Sequence, residues 1–249
     1  MPDTNPIVRI GVVPLAVTSI VDQNVAKICA FLQRAQQEGI QILCFPEYCL
    51  NPDLARWVDL TPAISQIQAA CRQYARWSIF GAEAGEAETR KNSTYLIDPT
   101  GAIRYRYDKV HLWQSEKEHF VAGQTTQVID IGLCRIGIIC CWDIAFPAFV
   151  AGLARQGAEI IFCPSYLCDY AQDQQALRSL PLVRAFENGV YFALCDAFTP
   201  DTLSESYLCH PQAIQQSLVQ QEGMIACDVD LAELAALRHY YGYTMRDIP

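Results

Sequence analysis

"EGIQILCFPE" (38–47) and "QGAEIIFCPS" (156–165) repeat one local plan: a glycine ending a helical stretch, a wholly apolar strand, then a proline, with seven residues from glycine to proline in both. A strand that is apolar at every position has both faces buried. Two halves of similar build follow, each a sheet with helices on one face, and the uncovered faces have only each other to bury against. The pattern therefore predicts an α/β chain of four layers, an α-β-β-α sandwich of two stacked mixed sheets. An open sheet with helices on both faces is the competing arrangement.

The rest of the chain fits alternating strands and helices. "IVRIGVV" (7–13) reads as a strand, and "VDQNVAKICAFLQRAQQEG" has apolar residues at helical spacing from Val21 to Ala35 before Gly39. "PAISQIQAACRQYARW" is a second amphipathic helix, started by Pro62. "SIFGAE", "STYLID" and "AIRYRY" are strands, the last two joined in a hairpin by the "PTG" turn. "TQVIDI" and "CRIGIICC" are read as strands, "FVAGLARQG" as a helix, and "DQQALRSLPLVRAFENG" as a helix interrupted near Pro181. "VYFALC", "SYLCH" and "MIACDV" complete the strands. At 249 residues, 51% of them hydrophobic, residues 1–249 are expected to form one domain.

Charge and cysteine usage exclude several function classes. The net charge of -9, with 18 lysines and arginines scattered singly, provides no basic stripe for a phosphate backbone, so no nucleic-acid partner is expected. No stretch approaches the ~20 apolar residues of a membrane span, and "MPDTNPIVRIGVV" has no basic region ahead of an apolar core, so a soluble cytoplasmic protein without membrane contact is expected. The twelve cysteines sit in apolar runs such as "ILCF" and "FALC", where a thiol behaves as a small hydrophobe; that favours a reducing compartment. There is no C-x-x-C, and His111, His119, His210 and His239 do not cluster, so no metal site is expected.

"IGIICCWDIAFP" (136–147) ends a buried strand on two thiols just before a turn, a placement suited to a nucleophile although G-x-S-x-G is absent. Strand alternation would point Cys140 and Cys141 to opposite faces. Cys140 continues the buried run and Cys141 borders the polar "WD" pair, so Cys141 is the candidate and two core thiols are the bland alternative. A strained vicinal dithiol is a weaker rival. A thiol nucleophile needs a base, and the histidines offer none. Glu47 in "CFPEYCL" and Lys109 in "RYDKVHLW" lie at other strand ends, where a carboxylate could take the thiol proton and an ammonium could hold an oxyanion.

"FPEY", "YDKVHLW" and "IGIICCWDIAFP", in that order and followed by "GAEIIFCPS" and "VRAFENGVYF", resemble the nitrilase or carbon-nitrogen hydrolase superfamily over about residues 7 to 230. The resemblance implies the same four-layer sandwich, with Glu47, Lys109 and Cys141 as the catalytic set. It implies a second glutamate, Glu116 by the "E-x-x-x-F-x-x-G" pattern, with Glu118 as the alternative, and an oxyanion hole of Lys109 and the Trp142 N–H. It further implies no metal or organic cofactor and a homodimer or larger homo-oligomer. The implied activity is hydrolysis of a small linear amide or N-carbamoyl compound. Nitrile hydrolysis, acyl transfer and a catalytically degenerate binding protein are its alternatives. Tyr48, Trp142, Tyr166 and Asp169 follow the same strand ends and are candidate substrate contacts, Asp169 for an amine-bearing substrate. The chain departs from the family pattern at Ala148 and Ala151, where glutamate and arginine are usual, and keeps only Ser206 of a late serine motif.

Overall fold

The computed structural model describes residues 7–168 and 173–242. Two six-stranded mixed sheets stack face to face. In the first, the order is β12 (Ile225–Asp230), β1 (Ile7–Val12), β2 (Ile42–Cys44), β3 (Trp77–Ala84), β4 (Lys91–Ile97) and β5 (Ile103–Asp108). In the second, it is β11 (Ala213–Val219), β10 (Glu205–His210), β9 (Tyr191–Asp196), β8 (Ile160–Ser165), β7 (Arg135–Ile138) and β6 (Ile129–Asp130). Three central strands run parallel in each sheet, β1-β2-β3 and β7-β8-β9, and every other neighbour pairs antiparallel. The duplication read from the two Gly-to-Pro segments is thus a duplication of sheets, with β2 and β8 at equivalent central positions. One strand crosses the boundary: β12, from the end of the chain, edges the first sheet beside β1.

The layers follow from pleat and period. Along β1, β2 and β3, Val8, Ile10, Val12, Ile42, Cys44, Trp77 and Ile79 face the second sheet in one core. The alternate residues Leu43, Phe45, Phe80 and Ala82 pack in another core with α1 (Val21–Gln37) and α2 (Thr61–Tyr74). Helices α3 (Pro147–Arg155) and α4 (Gln174–Asn188) cover the second sheet, and α5 (Leu231–Tyr241) follows β12. The sheets also meet through polar atoms, since the Cys195 thiol on β9 donates to the carbonyls of Val13 and Cys44 at 3.3 and 3.2 Å. Ends are set locally: Gly39 follows α1 at φ +70°, Pro62 opens α2, and Asp230 caps α5 by accepting from the N–H groups of Ala232 and Glu233.

Three expectations are corrected. Helix α4 runs through Pro181 without a break; Leu177 and Pro181, one turn apart, are both buried, and that packing outweighs the missing N–H. "TQVIDI" contributes only Ile129–Asp130, and β7 stops at Ile138, so neither Cys140 nor Cys141 belongs to the strand. Strand β11 is an addition to these expectations: it is almost wholly exposed, and its apolar residues Ala213, Ile214, Leu218 and Val219 do not alternate with polar ones. Among the described residues no helix is long and apolar enough to cross a membrane, and no group of three or more His, Cys, Asp and Glu residues could hold a metal.

Since β12 covers the outer edge of β1, deleting residues 225–249 leaves a long buried strand as an open edge. The truncated protein is expected to aggregate on refolding, checked by light scattering and denaturant melts. A soluble truncated chain with a cooperative transition would contradict this role for β12.

Candidate active site

The strand ends that carry the sequence motifs converge where the two sheets meet. Beyond β2, Phe45 N–H donates to Ile79 and the Pro46 carbonyl accepts from Gly81 N–H at 3.0 Å, which lays the loop across β3. Gly81 is required by this approach: a Cβ there would lie 2.6 Å from the Glu47 Cα and 2.8 Å from the Tyr48 nitrogen. Tyr48 turns the chain at φ 52°, aiming Glu47 inward. Lys109 follows β5 and is pinned on both sides of its peptide, donating to the Asn92 carbonyl at 2.8 Å and accepting from Gly123 N–H at 2.7 Å.

Lys109 has no exposed side-chain surface, and its ammonium lies 2.8 Å from Glu47 Oε1 and 2.9 Å from Glu116 Oε1. The remaining lone pairs are also occupied. Glu47 Oε2 accepts the Tyr166 N–H at 2.8 Å, Glu116 Oε2 accepts the Trp113 N–H at 2.6 Å, and the Tyr48 hydroxyl donates to Glu116 Oε1. Asn92 Nδ2 lies 2.7 Å from Glu47 Oε1 and 2.9 Å from Glu116 Oε1, joining the two carboxylates. Burial alone would lower the Lys109 pKa, but Cys141, Glu47 and Glu116 outweigh it and hold the ammonium well above the usual lysine range. Burial raises Glu47, with Lys109 opposing and Glu116 adding to the rise. Burial also acts to raise Glu116, yet Lys109 and its hydrogen bonds bring it below the ordinary carboxylate value. One ammonium thus serves two carboxylates, and Glu47 is the one that binds a proton more readily.

The cysteines sit on a short 3-10 turn, Cys141–Ala145. Cys140 is extended, whereas Cys141 has φ 47°, a left-handed backbone, so the two side chains diverge for a reason other than strand pleat. Cys140 is buried behind the site and its thiol donates to Glu47 Oε1 at 3.1 Å. Cys141 lines the cavity, with its thiol 3.7 Å from the Tyr166 carbonyl. Burial and then Glu47 push the Cys141 thiol well up, against the pull of Lys109. Asp143 fixes the turn, accepting from Cys140 N–H (2.9 Å), Tyr107 hydroxyl (2.5 Å) and His111 N–H (2.9 Å). Tyr107 and His111 flank Lys109, so one carboxylate registers the cysteine turn against the lysine segment.

The cavity, about 650 Å³ counted to its open mouth, is lined by Glu47, Lys109, Glu116 and Cys141 at its floor and by Tyr48, Trp142 and Tyr166 on its walls. Trp113 meets Trp142 edge-on at a centroid distance of 4.4 Å. Leu54, on the wall, is held through its carbonyl by Arg90, which is paired at 2.8 Å with buried Glu83. Of the two candidate second glutamates, Glu116 joins the cluster and Glu118 is exposed. Asp169 lies outside the described residues. Sequence reasoning missed Asn92, one of four consecutive polar residues at the start of β4, and Gly81, whose importance depends on a loop contributed by another strand.

Fold and site together define a class: the carbon-nitrogen hydrolase model matches residues 9–239, and the chain belongs to that family, within the nitrilase superfamily. It is similar to the omega-amidase NIT2 of Bos taurus, 24% identical with 92% of this chain and 91% of that protein covered, and to a nitrilase of Pyrococcus abyssi, 25% identical with 84% of each covered. Among solved structures it resembles a carbon-nitrogen hydrolase of Helicobacter pylori G27 (TM-score 0.90, 17% identity, covering 98% of this chain and 96% of that one). It also resembles an amidase from Nesterenkonia sp. AN1 that carries acrylamide added at its active-site cysteine (TM-score 0.83, 22% identity, 95% and 100% covered).

Gly81→Ala is expected to destabilise the protein by about 1–3 kcal/mol, because the new methyl group meets backbone rather than a yielding side chain. A shifted denaturation midpoint checks this; an unchanged midpoint would contradict the close approach of the Glu47 loop.

Proposed function

We propose that the protein is a thiol-dependent amidase, hydrolysing a non-peptide C–N bond in a small linear amide or N-carbamoyl compound. The observation that carries this reading is the left-handed Cys141 on its turn, lining one cavity with Glu47 and Lys109. Cys141 attacks the substrate carbonyl carbon while Glu47 takes the thiol proton. The raised pKa of Glu47 suits it to that transfer. Lys109 spends two of its three N–H donors on Glu47 and Glu116, leaving one that, with the Trp142 N–H, stabilises the oxyanion.

As the C–N bond breaks, Glu47 returns the proton to the leaving ammonia or amine and a thioester remains on Cys141. Water, deprotonated by Glu47, then cleaves the thioester, and the sulfur recovers its proton. Glu116 is a positioning residue that holds Lys109, and no step requires a metal or organic cofactor. A degenerate binding protein would have no need for this fully hydrogen-bonded charge cluster. Assembly of copies through the helical layers belongs to the same reading, supported by exposed Phe146, Val183 and Phe186 beside α3 and along α4. A reducing compartment such as the cytoplasm suits twelve free thiols.

Cys141→Ala is expected to abolish ammonia release from a panel of aliphatic amides and N-carbamoyl amines. Cys140→Ala, which loses only a contact to the base, should retain most of it. Equal losses in two folded variants would remove Cys141 from its role. Glu47→Gln should lower the rate by about a hundredfold or more with folding intact, and near-normal turnover would exclude it as the base.

The pH profile has a defined sign. Glu47 acts ionised and its pKa is raised, so kcat/KM should fall with decreasing pH along a limb centred above the ~4.3 of a free glutamate. A limb at or below that value would contradict the base assignment.

A further inference from the structure

Charge around the cavity constrains the far end of the substrate, given the amidase reading above. Lys109 is the one cation among the described residues that line the cavity, and its ammonium is buried and already held by two carboxylates. The segment 169–172 contains no lysine or arginine. Arg178, farther along α4, is committed to Glu205 at 2.8 Å. Among the described residues that line the cavity, the charged group left is Asp173, exposed at the start of α4, where its carboxylate caps no helix N–H. The half-buried indoles of Trp113 and Trp142 line the same cavity, surfaces that tolerate an alkyl chain and attract a cation.

A linear substrate with its carbonyl at Cys141 therefore extends along aromatic walls toward a carboxylate. An anionic end would meet Asp173 with no cation to receive it, whereas an ammonium end would gain an exposed carboxylate as a partner. We propose that Asp173 is a specificity-determining residue, and that the cavity selects linear amides or carbamoyl compounds ending in a cationic amine over those ending in a carboxylate. This carboxylate lies four residues beyond Asp169, the residue that sequence reading offered for the same chemistry.

The test compares kcat/KM by ammonia release for three primary amides of matched length: 5-aminopentanamide, pentanamide and 4-carbamoylbutanoate. The ammonium-bearing amide should exceed the neutral one by about fivefold, and the carboxylate-bearing amide should fall below it by a similar factor. Asp173→Asn should bring the ammonium-to-neutral ratio close to one. A preference for the carboxylate-bearing amide, or a ratio unmoved by Asp173→Asn, would overturn the assignment.

A second readout does not need turnover. Cys141 should react faster with an ammonium-bearing than with a sulfonate-bearing methanethiosulfonate, each rate normalised to a free small thiol, and Asp173→Asn should narrow the gap. If no amide is cleaved while this discrimination persists, the amidase reading fails and the charge preference stands. If the neutral amide is cleaved in a Cys141-dependent way and neither readout shows charge preference, the amidase reading stands and the role of Asp173 fails.

Discussion

A lysine ammonium removed from water and held between two carboxylates dictates how the surrounding chain must be built. Burying three charges costs several kcal/mol per ion unless each is paired and hydrogen-bonded, and removing one partner would leave the others stranded. The protein meets that cost with Asn92 across both carboxylates, the Tyr48 hydroxyl on Glu116, and backbone N–H groups from Tyr166 and Trp113. These donors follow β2, β8 and β5 or sit at the start of β4, so the cluster is satisfied only when both sheets are stacked in register. The same unequal sharing of one cation leaves Glu47 more easily protonated than Glu116, and the proposed chemistry depends on that difference.

The second constraint is the turn after β7. Asp143 ties the Cys140 nitrogen to Tyr107 and His111, on either side of Lys109, so thiol and ammonium are positioned by one buried carboxylate. The left-handed residue sends the Cys141 thiol to the cavity while Cys140 rests on Glu47 from behind. At α3 the missing family glutamate and arginine leave no buried charge unpaired, because Ala148 is exposed and Ala151 half-buried. Their loss changes a helical surface and leaves the charge cluster intact.

Much of this was legible in the sequence because the signals were apolar and periodic. The wholly apolar runs "ILCF" and "IIFC" announced strands buried on both faces, and the stacked sheets followed. Strand β11 escaped because its apolar residues sit at its two ends, around Gln215, Gln216 and Ser217, and leave no alternation to read on an exposed edge. The end of β7 was misplaced for the opposite reason: Ile139 and Cys140 are apolar and buried, and hydropathy carries no trace of the backbone leaving the ladder. Glu47, Lys109, Glu116 and Cys141 could be named from motif order. Asn92 could not, since its importance arises from two carboxylates that approach it from other strands.

Carbonyl chemistry through a thioester on Cys141 is tested by trapping that species. A slowly processed amide is mixed with the enzyme, the reaction is quenched in acid within the first turnovers, and the digest is mapped by mass. An added acyl group is expected on the peptide holding Cys141, absent in Cys141→Ala and lost on exposure to hydroxylamine. Steady ammonia release with no acyl adduct, or an adduct on another cysteine that persists in Cys141→Ala, would contradict it.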